Sequence, residues 1–203
     1  MSGFSLRFLM MVLAVAALSG CGGGGGSGGA SGGSTSASAV SDEVAVNAKA
    51  QDKPATITLN GAEVEEYQAA MLEYVNAARS QARNCGSERF DAAPPLQYNG
   101  VIQGAADEHT QDMATNNFFS HTGSDGLRVG GRVTKTGYAW SVVGENIAAG
   151  YDSVKAVMDA WVASPGHCAN IMDPRFTEFA VKRMDATGAD YPNYWTQVFA
   201  EAR

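Results

Sequence analysis

The sequence predicts an α+β fold, and three observations carry that expectation. Apolar residues recur at helical spacing in three separated segments between Asn60 and Val162. Two later runs, "FTEFAVKRM" (Phe176 to Met184) and "YWTQVFA" (Tyr194 to Ala200), alternate in the manner of strands. The turn-prone "DATGADYPN" between those runs makes them an antiparallel hairpin, and no β-α-β alternation points to a parallel sheet.

The elements follow in order. Asn60 is a favourable N-cap and Glu63 completes a variant of the capping box, so a first helix is expected to start there. Val64, Tyr67, Met71, Tyr74, Val75 and Ala78 give it one apolar face through about Arg83. A loop with Cys85, Gly86 and Pro94-Pro95 follows, and Leu96 and Tyr98 lead into a second helix, Gly100 to Asn116. Ile102, Ala105, Ala106 and Met113 face its core side, with His109 nearby as a structural histidine. "FFSHTGSDG" (Phe118 to Gly126) supplies two aromatic anchors and a polar turn. Leu127 to Tyr138 reads as a short helix interrupted by glycines, and "GENIAAG" (Gly144 to Gly150) as a tight glycine-bracketed segment. Asp152 or Ser153 caps a third helix striped by Val154, Val157, Met158, Trp161 and Val162, which Pro165-Gly166 ends.

The N-terminus speaks to compartment. Arg7 precedes an apolar run, Phe8 to Leu18, well short of the roughly 20 residues that span a bilayer but suited to a signal peptide. Leu18-Ser19-Gly20-Cys21 resembles a bacterial lipobox, which implies cleavage before Cys21 and a lipid on its thiol. Gly22 to Ser38 is almost entirely Gly, Ser, Ala and Thr, the composition of a flexible tether. Ala39 to Leu59 adds mixed charge and the β-prone "ATITL", either further linker or a segment partly ordered on the domain. The expected organisation is a signal peptide at 1–20, a lipidated cysteine and tether at 21–59, and one domain at 60–203. A bacterial cell-envelope lipoprotein is expected, its membrane contact made through the Cys21 lipid; Gly22 makes the outer membrane the default.

A net charge of −7 with no basic patch excludes nucleic acid as a partner. With Cys21 acylated, Cys85 and Cys168 remain, and in an oxidising compartment an even pair reads as one disulfide. The competing reading is a catalytic thiol at Cys168 beside His167. No G-x-S-x-G, H-E-x-x-H or C-x-x-C occurs. Ser120, Ser124 and Ser164 lie near the histidines in sequence, which leaves a Ser/His/Glu hydrolase open.

Four ordered motifs, "AADEHTQDMATNNFFSHTGSDG", "VVGENIAAG", "AWVASPGHCANIMDPRFTEFAV" and "YWTQVFA", resemble the bacterial branch of the CAP superfamily of cysteine-rich secretory proteins, antigen 5 and pathogenesis-related proteins. The resemblance covers Glu63 to Ala200. It implies an α-β-α sandwich with a central antiparallel sheet and an open cleft carrying histidines and glutamates. His121 matches the family's first histidine and Glu145 its first glutamate. Ser164 stands where the eukaryotic branch has a second glutamate, and Tyr194 where it has a second histidine. His167 of "SPGH" is the bacterial alternative.

His121, Glu145 and His167 are therefore the candidate cleft residues, with Asn146, Ser164 and Tyr194 beside them and Asn170 as a further polar candidate. His121 and Glu145 suit general-base work, and with His167 they form a three-ligand set for Zn²⁺ or another divalent cation. Three functions stand open. The favoured one is a binding module for an unidentified lipid, amphipathic small molecule, protein or cation; the alternative is an envelope hydrolase using His121 and Glu145. The third is a structural protein whose polar cluster only stabilises the fold.

Overall fold

The computed structural model describes residues 56–203. The expected signal peptide, the expected lipidation site at Cys21 and the expected tether as far as residue 55 lie outside the described residues. In order, the elements are β1 (Thr56–Leu59), β2 (Ala62–Glu65), α1 (Glu66–Arg79), β3 (Arg83–Cys85), β4 (Glu88–Phe90), β5 (Gln97–Tyr98) and α2 (Gly100–Asn116). They continue with α3 (Val129–Lys135), β6 (Trp140–Ala149), α4 (Val154–Ala163), α5 (Pro165–Met172), β7 (Glu178–Asp185) and β8 (Asn193–Ala202).

A four-stranded sheet in the order β5-β7-β8-β6 forms the middle layer. The β7–β8 and β6–β8 pairs are antiparallel; the two-residue edge strand β5 alone runs parallel to its neighbour. Alternation along β7 and β8 sends side chains to two separate cores. Phe179, Val181, Trp195 and Phe199 join α1, α4 and α5 residues such as Met71, Val75, Trp161 and Ile171. Ala180, Val198 and Ala200 pack instead with Ile102, Ala105 and Ala106 of α2 and Val133 of α3. The result is an α-β-α sandwich of α+β class, as expected.

Several local expectations are corrected. Asn60 does not cap a helix: Asn60 and Gly61 both take positive φ, at 49° and 84°, and turn β1 back on β2. Asn-Gly is the pair that such a tight hairpin turn favours. The helix begins six residues later, where the Gln68 side chain accepts a hydrogen bond from the Glu65 amide at 2.8 Å. The ordered body thus includes Thr56 to Leu59, so of the two readings open for that segment partial order holds for its last four residues. The glycine-bracketed "GENIAAG" is extended rather than tight: Gly144 to Ala149 form the second half of the ten-residue β6, and Gly150 follows it at positive φ. A Cβ on Gly144 would stand 2.7 Å from the Phe176 ring, so the glycine there serves close packing.

Ser164 to Met172 also differs from the expected corner. α4 ends at Ala163, and Pro165 sits in the first turn of a new helix, where its missing N–H costs nothing. Cys168 of α5 is bonded to Cys85 of β3, both buried, with Cα atoms 5.4 Å apart. That disposes of the catalytic thiol. The bridge spans 83 residues of sequence, for which chain-entropy reasoning assigns about 4.5 kcal/mol.

Candidate functional site

The site is built around one buried carboxylate. Glu145 sits in the middle of β6 and is 7% exposed. Its Oε1 accepts from His121 Nδ1 at 2.8 Å, and its Oε2 accepts from Arg132 Nη2 at 2.6 Å. A third basic group, the Nε2 of buried His109, lies 3.9 Å from Oε1. His109 comes from α2, His121 from the turn after it and Arg132 from α3, so three segments converge on one strand. Arg132 also donates to the backbone oxygens of Leu127 and His121, which ties the turn down.

Burial pushes the Glu145 carboxyl up, but the His121 hydrogen bond and the Arg132 charge outweigh it and hold the group below its ordinary value. Glu145 is therefore ionised at neutral pH. His109 is pushed down, chiefly by burial, and its Nε2–H donates to the Ser120 carbonyl at 2.9 Å. His167 is likewise lowered, first by burial and then by the nearby His121 charge. His121 keeps a side chain 42% exposed, with Nδ1 committed to Glu145 and Nε2 left for the cleft.

The sequence-derived candidates divide. His121 and Glu145 meet directly and line a cavity of about 270 Å³ with Arg128, Val129, Gly144 and Asn170. His167, in the first turn of α5, lines a neighbouring cavity of about 290 Å³ with Ser164. The two histidines sense each other electrostatically, but among the described residues no hydrogen bond joins them.

Asn146 is buried and does not face the cleft. Its side chain donates to the His167 carbonyl and the Gln197 amide oxygen and accepts from Asn170, locking α5 to β6. Tyr194 is also buried, packed with Met113 and Ile147, so its polar end does not reach the cleft. Strand alternation places both side chains inward. Of the serines, Ser120 accepts from Thr122 and Ser124 donates to Asp112. Among the described residues no serine hydroxyl is hydrogen-bonded to a histidine side chain.

The divalent-cation set does not fit this geometry. Both Glu145 oxygens are taken by protein cations, and a guanidinium 2.6 Å away repels a metal ion. Among the described residues no three His, Cys, Asp or Glu side chains are grouped to hold one. Sequence reasoning missed Arg132, the residue responsible. Its signal was an arginine in a short, glycine-interrupted helix, which is weak until the helix is seen over β6.

The charge arrangement makes the fold acid-sensitive. Lowered folded-state pKa values of His109, His167 and Glu145 mean that the unfolded chain binds more protons as pH falls. For the histidines stability is full above their ordinary value of about 6.5 and is lost below it. Glu145 adds a further loss below about 4.5, as pH falls toward its depressed value. The urea midpoint is expected to drop between pH 7.5 and 5.5, and His109→Gln should shrink that drop. A midpoint flat over this range contradicts the assignment.

Known proteins share this architecture. The Cysteine-rich secretory protein family matches residues 72–199. An uncharacterized Bacillus subtilis protein, YkwD, is 28% identical over 166 residues, covering 81% of this chain and 59% of its own. An uncharacterized membrane protein of the same organism, YlbC, is 31% identical over 104 residues, covering 51% of this chain and 28% of its own. This chain therefore spans less than two thirds of either relative. Among solved structures, an extracellular protein containing an SCP domain from Bacillus anthracis superposes with a TM-score of 0.55 at 26% identity, covering 66% of this chain and 40% of that one. An outer surface protein from Borrelia burgdorferi, at 16% identity, shares the fold with a TM-score of 0.56 over 74% of this chain and 100% of its own. The chain belongs to the cysteine-rich secretory protein family, with a CAP (SCP-like) domain.

Proposed function

We propose that this is a lipid-anchored protein of the bacterial cell envelope whose CAP cleft binds a ligand, without chemistry being required of it. The observation that carries the reading is the juxtaposition of two unlike surfaces. The His121–Glu145–Arg132 group is pre-organised at one cavity, and the cavity beside it is lined by Phe119, Tyr151, Trp161 and Tyr191. A few fixed polar groups next to an apolar wall is the usual composition of a small-molecule site. The envelope placement draws support from the lipobox-like sequence and from the extracellular and outer-surface descriptions of the two structural relatives.

The test is thermal unfolding of the full chain with a panel of lipids, wall fragments and peptides. At least one ligand class is expected to raise the melting temperature, by about 2.7 kcal/mol of stabilisation at 100 times its Kd. His121→Ala should abolish the rise. If no class shifts the transition, the binding reading fails.

A second reading is favoured by one feature. Glu145 fixes the ring of His121 through Nδ1 and leaves Nε2 directed outward, an orientation that suits a general base acting on water. In that case the chain hydrolyses envelope esters or peptides, and hydrolysis of p-nitrophenyl butyrate should vanish in His121→Ala. Activity that survives the substitution excludes it.

A further inference from the structure

The geometry points to a saccharide subsite: the cavity beside the histidines, walled by Phe119, Tyr151, Trp161 and Tyr191, takes one sugar ring of a glycan. The inference rests on the cleft-binding reading and names its ligand class.

Two of these rings are held in water. Phe119 follows the end of α2 and Tyr191 lies in the β7–β8 turn; they are 46% and 42% exposed. A lone exposed aromatic needs no explanation. Here the two rings contact each other, 6.0 Å apart with an interplanar angle of 55°. Both are fixed from behind. The Asn117 side chain accepts from the Asp190 amide at 2.7 Å, joining the two loops, and Tyr191 packs edge-on against buried Tyr194 at 5.9 Å. The platform therefore exists before any ligand arrives, which removes an ordering cost from binding.

Two polar groups at the same cavity decide between ligand chemistries. Among the described residues neither the Ser164 hydroxyl nor the His167 ring has a hydrogen-bond partner, although both line the cavity. A purely apolar occupant would cover them unsatisfied, and each would lose its hydration with nothing in return. Burial keeps His167 neutral, so one ring nitrogen donates and the other accepts. A hydroxyl group does both. A pyranose ring offers an apolar C–H face for the aromatic platform and hydroxyls around its edge for Ser164 and His167. The volume of about 290 Å³ sits at the small end of ligand cavities and suits a single ring. A net charge of −7 disfavours an anionic amphiphile and admits a neutral glycan.

The experiment is calorimetry and Trp161-containing fluorescence on the full chain, with chitotetraose, cellotetraose, decanoate and tetra-alanine as probes. One tetrasaccharide is expected to bind saturably. Phe119→Ala and Tyr191→Ala should each weaken it about tenfold, the scale of a lost aromatic contact, while Tyr191→Phe retains it. Both side chains are exposed, so the variants should melt within a few degrees of the parent. Tetrasaccharide binding that ignores both ring substitutions overturns the subsite. If only decanoate or the peptide binds, and His121→Ala abolishes that, the saccharide inference falls and the cleft reading stands. If no probe binds, both fall.

Discussion

Glu145→Gln is expected to destabilise the fold by about 3–5 kcal/mol, because it strands a buried guanidinium without its counter-charge. Arg132 is 1% exposed, and its Nη2 to Glu145 Oε2 contact is 2.6 Å. At about 2–4 °C per kcal/mol for a domain of this size, the melting temperature should fall by roughly 10 °C. The substitution keeps the shape of the side chain, removes the charge and turns one of the two accepting oxygens into an NH2 donor that faces a donor. Replacing both partners, as Glu145→Leu with Arg132→Met, should recover much of the loss, since apolar replacement of a whole buried pair is often near neutral. Thermal unfolding of the single and the double variant decides the matter. A single-variant loss below about 1 kcal/mol would mean that the pair behaves like an exposed one. The double variant should still lose ligand binding, which separates the pair's structural role from its role at the cleft.

Arg79→Met is expected to cost a comparable amount for a different reason. Arg79 is the last residue of α1, fully buried, and bonds four backbone carbonyls rather than a carboxylate. Its Nε donates to Pro94 O at 2.7 Å, Nη1 to Ile171 O at 2.7 Å and Asp173 O at 2.9 Å, and Nη2 to Phe176 O at 3.1 Å. Burial lowers its pKa to about 10, offset in part by Asp173, so it stays charged at neutral pH. One planar group thereby pins the end of α1 to the β4–β5 loop, to the last turn of α5 and to the segment after it. Hydrogen bonds from a charged donor contribute about 1.5–3 kcal/mol each, without simple addition, so a total of about 4 kcal/mol is expected. Arg79→Lys should lose at least half of that, since an ammonium cannot reach four carbonyls spread around a fork. Urea unfolding of both variants tests this, and a change under 1 kcal/mol in Arg79→Met overturns it.

Where a signal was local, the sequence was legible. α2 runs from Gly100 to Asn116 as expected, because the Asn99 side chain caps it through the Val101 amide and an uninterrupted apolar stripe follows. The β7–β8 hairpin was readable from its alternation, and the Cys85–Cys168 bridge from a cysteine count and a compartment. Where two local signals competed, the reading failed. Asn60 fits both a helix cap and a tight turn, and Gly61 at positive φ shows that the turn prevailed. The bracketing glycines of "GENIAAG" suggested a tight segment, yet Gly144 lies inside β6, where the Phe176 ring takes the space of its missing side chain. Pro165-Gly166 stopped one helix and started another, because proline is as suited to a first turn as to a break.

The candidate site was half legible for a related reason. His121 and Glu145 were identified by motif and do meet at 2.8 Å. Asn146 and Tyr194 belonged to the same motifs but turned inward, since strand alternation is settled by which face the sheet buries.

What the sequence by itself determined is the class of the fold, the family, the disulfide partners and a histidine and glutamate, His121 and Glu145, that meet at one cavity. Each is written in a short pattern that survives without knowledge of its neighbours. Only the tertiary structure decided the electrostatics. Arg132 reaches Glu145 because α3 lies across β6, and that contact turns a three-ligand metal set into a satisfied ion pair. It also decided that Phe119 and Tyr191 stand together at one cavity. Charge and ring contacts depend on distances of a few ångströms between segments far apart in the chain, and no spacing along a sequence encodes those.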